Sequence, residues 1–386
     1  MTDRARLIRK YISEHKADFL SLLQSLVEIE TPSDQPETFS MVWELLSEQF
    51  KNIDYSVTHF EGDKTAGQLL CKPNNFDPSK PTQLVLGHCD TVWNVGTLNE
   101  MPFSIEDDIV AGPGVYDMKS GIAMMIFGIQ AIHYLEKIPK VQPIFLINSD
   151  EEIGSEESKE RIIEQAKLAE RTFVLEPSLG KEGKIKTRRK GVGDFVISIN
   201  GKPSHAGLAP EEGVSAILGL SHIVQQIFRL NDPANGVTVN VGTIEGGERS
   251  NVVAAKSKAV VDVRIPTQED GERIKEELYN LKPEIDGVEL SVTGDINRPP
   301  LEKNESNKKL WKVTQKLGQE LDLELEDGMS GGASDGNFSN LYSPTIDGMG
   351  AVGEGAHAYH EKIFLEQTLD RLALFTLLLL ESPIFD

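Results

Sequence analysis

The sequence predicts an α/β protein, an open doubly wound sheet interrupted by an inserted βαββαβ (ferredoxin-like) domain. Apolar runs at 83–87, 143–148 and 172–175 alternate with helical stretches at 121–136 and 157–169. That alternation belongs to a sheet covered on both faces. From about Gly191 the order becomes strand, helix, strand, strand, helix, strand, the split-βαβ arrangement. After Pro299-Pro300 the first pattern resumes.

Taken in order, residues 4–30 return Leu7, Ile8, Tyr11, Ile12, Phe19, Leu22, Leu23 and Leu26 to one helical face. A second helix fits 37–50, and strands follow at 55–60, 66–72 and 83–87. Residues 121–136 are apolar and rich in small side chains, so they read as a buried helix behind a glycine-rich loop. The inserted segment offers strands at 192–200, 237–244, 257–265 and 288–296, with helices at 213–230 and 268–281. A helix at 306–321, a glycine-rich loop around 331–332 and a terminal helix from Leu365 complete the chain. The expected boundaries are 1–188, 189–297 and 298–386, the outer two forming one domain.

The 386 residues exceed what one simple core holds, and 39% hydrophobic with 26% charged residues are globular values. A net charge of −22 argues against nucleic acid or an anionic membrane as partner. Cys71 and Cys89 offer no disulfide framework and suit a reducing compartment. The first residues lack the apolar stretch of a signal peptide, and the 372–380 run is too short to cross a bilayer. A cytoplasmic location is expected.

The chemistry gathers at strand ends, where open α/β sheets place their sites. After the 143–148 strand, Glu151 and Glu152 are adjacent carboxylates whose side chains diverge, one able to face a metal and the other a substrate. A solvated loop is the plain alternative. The 83–87 strand ends in His88-Cys89-Asp90, where Asp90 can hydrogen-bond and orient the His88 imidazole while Cys89 turns to the core. Asp117 lies where the 121–136 helix begins, as helix cap or bridging carboxylate. Glu176 ends a third strand, and His357 sits in a glycine-rich loop. Together these supply two histidines and three carboxylates, enough for two cations sharing one carboxylate and each keeping a place for water. Mixed imidazole and carboxylate favours zinc, with cobalt or manganese possible.

Ordered blocks GHCDTV (87–92), GPGVYDMKSG (112–121), SDEEIGS (149–155), EPS (176–178), GKPSHAG (201–207) and GAHAYHE (355–361) closely resemble the di-zinc exopeptidase and amidohydrolase family. That family includes carboxypeptidase G, acetylornithine deacetylase, succinyl-diaminopimelate desuccinylase and aminoacylase. The resemblance implies a zinc-exopeptidase-like fold with an inserted dimerisation or lid domain and two zinc ions per chain. His88 and Glu176 would hold one zinc, Glu152 and His357 the other, and Asp117 would bridge. Glu151 would be the general base and Asp90 the orienting residue. His205, otherwise a surface turn histidine, would reach the active site of a partner subunit in a homodimer and donate to the tetrahedral oxyanion.

The expected substrate is a small peptide or N-acyl amino acid that releases a C-terminal residue, glutamate favoured. N-acyl amino acid deacylation or dipeptide cleavage is the alternative, and a non-catalytic binding protein on the same scaffold is the rival from another class, which an intact Glu151 and ligand set argue against. Arg264 and Arg298 match positions that bind substrate carboxylates in glutamate-releasing relatives, a task suited to the planar guanidinium. A surface ion pair is the other reading of each. Asn251 and the 331–337 loop, Gly332 included, read as further pocket wall, and 188–190 as a solvated hinge approach.

Overall fold

A computed structural model describes residues 1–385, which divide into two compact units. The first comprises Met1–Arg188, Lys303–Ser330 and the described residues from Ser334 onward; the second comprises Arg189–Glu302 and Gly331–Ala333.

In the first unit the chain forms α1 (Asp3–Glu14), α2 (Lys16–Glu28), α3 (Ser40–Asn52), β1 (Tyr55–Phe60), β2 (Gln68–Pro73) and β3 (Thr82–His88). It continues through β4 (Ser104–Glu106), β5 (Ile109–Ala111), α4 (Ser120–Tyr134), β6 (Gln142–Asn148), α5 (Lys159–Leu168), β7 (Ala169–Val174) and β8 (Ile185–Arg189). The single helix expected over 4–30 is two. The chain turns at His15, whose ring stacks on Tyr11 at 4.1 Å and whose Nδ1 lies 2.9 Å from the Tyr11 carbonyl.

The main sheet runs β1-β2-β6-β3-β7, closed at its far edge by the short strand Thr345–Ile346. Strand β3 pairs in parallel with β6 and β7, whereas β2 is antiparallel to β6. Side-chain alternation sorts the buried apolar residues between two faces. Val85, Phe145, Ile147 and Phe173 join one core with α1 to α4, while Leu84, Leu86, Ile144, Leu146 and Val174 join another with α5. This explains why β3 and β6 read as continuous apolar runs.

Helix α4 is buried around nearly its whole circumference. Gly121 lets it approach the sheet, since a Cβ there would stand 2.2 Å from the Leu175 carbonyl oxygen. That contact brings the start of α4 against the residue preceding Glu176.

Arg171 of β7 is fully buried and ties the sheet to the chain after the terminal helix. Its guanidinium donates to Gln83 Oε1 at 3.0 Å and to the carbonyls of Leu378, Glu381 and Ser382 at 3.3, 2.8 and 3.0 Å. Arg171→Ala would take the donor from the buried Gln83 oxygen and leave the place of a fully buried side chain empty, so we expect a loss of about 3 kcal/mol in a denaturant titration.

The second unit is β9 (Gly191–Asn200), α6 (Ala216–Phe228), β10 (Thr238–Gly246), β11 (Lys256–Ile265), α7 (Gln268–Tyr279) and β12 (Glu289–Arg298). Its antiparallel sheet has the order β10-β11-β9-β12. Ser215 and Thr267 cap the two helices by accepting from Leu218 and Asp270 amides. Phe195, Ile197, Ile199, Val261 and Val263 pack beneath α6 and α7.

The first unit then resumes with α8 (Glu305–Glu320), β13 (Asp327–Ser330), α9 (Gly336–Ser339), β14 (the Thr345–Ile346 edge strand), β15 (Gly353–Glu354), β16 (Lys362–Phe364) and α10 (Leu365–Leu380). β13 pairs with β8. A small sheet, β15-β16-β5-β4, sets β16 beside β5 with Lys362 opposite Ala111. Its strands are two or three residues long, too short to leave a period in the sequence. Among the described residues no helix is long and apolar enough to cross a membrane.

Candidate metal centre

Because β3, β6 and β7 are parallel neighbours, their carboxyl ends converge, with His88 paired across to Asn148. His88 ends β3, Glu151 and Glu152 stand in a short 3₁₀ turn just after β6, and Glu176 follows β7. Asp117 and His357 come from loops. Asp117 lies in non-helical backbone before α4, with a cis Asp117–Met118 peptide, and His357 takes a left-handed φ of +60°.

The two oxygens of Asp117 divide between the histidines. His88 Nε2 lies 3.3 Å from Asp117 Oδ1, and His357 Nε2 lies 3.6 Å from Asp117 Oδ2. His88 Nε2 is also 3.3 Å from Glu176 Oε1, and His357 Nε2 is 3.1 Å from Glu152 Oε2. The carboxylate at the head of α4 therefore faces both imidazoles and makes no helix cap.

Asp90 departs from the arrangement expected. The closest partner of His88 Nδ1 is the Asp90 carbonyl at 3.0 Å, with the carboxylate Oδ1 at 3.4 Å. That carboxylate is occupied by Ser33 Oγ at 2.7 Å and by the Glu152 and Glu151 amides at 3.1 and 3.4 Å. Asp90 thus anchors the turn bearing both glutamates as well as the histidine. A proton on Nδ1 toward the carbonyl leaves the Nε2 lone pair aimed at Asp117 and Glu176. Cys89 is buried in the core.

The electrostatics are those of clustered carboxylates around two imidazoles. Burial would lower the His88 value, but the neighbouring carboxylates of Asp117, Asp90 and Glu176 hold it well above the ordinary imidazole range. Burial would raise Asp117, and the imidazoles of His357 and His88 beside it reverse the sign. His357 is pushed up to about 10 by Asp117 and Glu152. Burial raises Glu152. The carboxylates that raise these imidazoles are the negative charge that divalent cations would balance.

The donor set fits such ions on two further grounds. His88 Nε2 and Asp117 Oδ1 are buried polar atoms without a hydrogen-bond partner, a rare condition unless something else binds there. Ligand atoms of His88, Glu151 and Glu176, and separately of His88, Asp117 and Glu152, lie within 4.8 Å of one another.

The remaining candidates belong to the inserted unit. His205 is exposed, and its Nδ1 accepts from the Gly207 and Leu208 amides at 3.1 and 3.2 Å, which puts the proton on Nε2. Asn251 is exposed and its carbonyl accepts the Ala206 amide at 3.0 Å. Arg264 pairs with Asp262, two residues back on β11, at 2.8 Å, the ion pair that was its alternative reading. Arg298 is buried at the end of β12.

The hinge reading of 188–190 is corrected at Arg189, which is 3% exposed and donates to the Gly332 and Ala333 carbonyls at 3.2 and 2.9 Å. It fastens the 331–333 loop through carbonyls that no sequence pattern announces. The 334–337 part of that loop is packed inward. Ser334, Asp335 and Asn337 are buried, and Asp335 receives Asn148 Nδ2 at 2.7 Å and Ser155 Oγ at 2.5 Å, bracing the turn of Glu151 and Glu152.

A mixed sheet with imidazoles and carboxylates facing one another at its strand ends defines a candidate site for divalent cations. Residues 84–381 match the peptidase family M20/M25/M40, and the chain belongs to that family. Carboxypeptidase G2 of Pseudomonas sp. (strain RS-16) is 29% identical over 371 residues, covering 92% of this chain and 86% of that one. Among solved structures, aminopeptidase PepT from Bacillus cereus superposes with a TM-score of 0.77 at 23% identity, over 94% of this chain and 97% of its own. The YXEP protein of Bacillus subtilis, described as a dinuclear metal-binding peptidase, gives 0.69 at 14% identity over 95% and 98%. The protein is accordingly a metal-dependent peptidase or amidohydrolase.

Proposed function

We propose that this hydrolase is a two-cation carboxypeptidase that releases a C-terminal amino acid, glutamate favoured, from a peptide or N-acyl conjugate. The observation that carries the reading is the division of the Asp117 oxygens between His88 and His357. Asp117 would bridge two zinc ions (cobalt or manganese serving in their place), with His88 and Glu176 on one and Glu152 and His357 on the other. Bound there, the cations supply a polarised scissile carbonyl and a water of lowered pKa. Glu151 takes the proton of that water and returns it to the leaving amine. Asp90 holds both His88 and the glutamate turn. His205, with its proton on Nε2, donates to the oxyanion in the active site of a second copy. Arg264 and Arg298 receive the substrate carboxylates, Arg264 with its fork already oriented by Asp262, while Asn251 and Gly332 line the pocket. The similarity to carboxypeptidase G2 supports the carboxypeptidase reading.

A homodimer through the inserted unit, in the cytoplasm, completes the reading. Strand β10 is an edge strand, and Ile217, Leu218, Phe228 and Ile244 stand 48–59% exposed on that unit, apolar surface of the kind that partners cover.

The test is to remove cations, refill with zinc, cobalt or manganese, and assay N-acyl amino acids together with α- and γ-linked dipeptides. Activity should vanish on depletion and return with two equivalents, and glutamate-terminated substrates should lead the panel. The melting temperature should rise on refilling, because ligands that bind only the folded state stabilise it. Restored activity confined to N-acetyl amino acids without C-terminal preference would replace the carboxypeptidase reading by deacylation.

A further inference from the structure

Glu361 is a buried carboxylate that the proposed chemistry does not use. It is 1% exposed, in a loop otherwise open to solvent between His357 and β16. Both oxygens are fully engaged. Oε2 accepts Trp93 Nε1 and the Gly114 amide, each at 2.9 Å, and Oε1 accepts the Tyr116 and Asp117 amides at 2.9 and 3.0 Å.

These amides cannot be satisfied locally. Gly114 has a φ of +72°, and Asp117 and Met118 are non-helical, so the 114–117 segment lies outside the regular hydrogen bonding of α4. No side chain caps α4. The N–H groups of Gly114, Tyr116 and Asp117 instead converge on one acceptor delivered by the pairing of β16 with β5. Burying a carboxylate is costly unless donors surround it, and here four do.

We infer that Glu361 is a positioning residue for Asp117, fixing the 114–117 segment in the orientation that turns the Asp117 carboxylate toward both histidines. The inference rests on the reading that Asp117 bridges two cations. Glu361 itself touches no reacting atom. The identity of the side chain matters because each oxygen accepts two N–H groups. Glutamine has one such oxygen, and whichever way its amide turns, an NH₂ faces two N–H donors.

The experiment titrates cation-depleted full-length protein with cobalt(II), recording binding and visible absorption, whose bands report coordination geometry. The parent chain should take two equivalents. Glu361→Gln should bind cobalt about 10- to 100-fold more weakly, the range for partners that orient metal ligands, with altered bands and an unchanged far-ultraviolet circular dichroism spectrum. Glu361→Asp, which keeps both oxygens but retracts them, should fall between the two and serves as the test if Glu361→Gln does not fold. Wild-type affinity and bands in the folded variant would overturn the inference. A parent chain taking up fewer than two equivalents would instead overturn the bridging reading.

Discussion

Glu151→Gln should lower kcat by about 10²- to 10⁴-fold, the contribution of a positioned general base, while the chain still binds two cations. The amide keeps the shape of the side chain and its place in the turn held by Asp90, but it cannot take a proton from water. KM should change little, because Glu151 is assigned to proton transfer and not to substrate binding. Steady-state kinetics on the best substrate, with metal analysis of the same sample, decides the matter. Glu151 also stands within 4.8 Å of His88 and Glu176 ligand atoms, so the metal analysis separates the two roles open to it. Loss of a cation along with the rate would make Glu151 a ligand, and retention of both with full rate would remove it from the chemistry.

Asp117→Ala should have a still broader effect, because one side chain is assigned to both ions. Losing it removes a ligand from each and leaves His88 and His357 without the carboxylate that faces them both. Affinity for both equivalents should fall by more than the 10- to 100-fold typical of an outer partner, and activity should fall with it at limiting metal. Isothermal titration with zinc measures this directly. Loss of only one equivalent would show that the ligand sets are separate and that no carboxylate is shared.

Both expectations depend on residues whose place was legible in the sequence to different degrees. His88, Glu151, Glu152 and Glu176 follow apolar runs that could only be covered strands, and the end of such a strand is a definite location. The inserted unit was equally plain in its element order, because its strands alternate and its first helix is amphipathic. Asp117 and His357 were harder, since each lies in a loop with no period of its own. Their residue types beside His88 made them candidates, and the ordered motif blocks, read as a family resemblance, implied their roles.

Glu361 stood inside one of those blocks and drew no attention, as a glutamate in a polar loop is usually solvated. Its burial comes from the pairing of β16 with β5, strands too short to read. Arg189 was misread for a like reason, its partners being carbonyls brought from elsewhere in the fold. What the sequence determined by itself was the longer strands and helices and which ligand types lie at strand ends. These follow from side-chain period and burial, properties of a few neighbouring residues. Only the tertiary structure decided that Asp117 faces two histidines, that the Asp90 carboxylate holds the glutamate turn, and that Glu361 receives the loop beneath Asp117. Each is a hydrogen bond or charge contact between segments distant in the chain, and its geometry exists only after the sheets have formed.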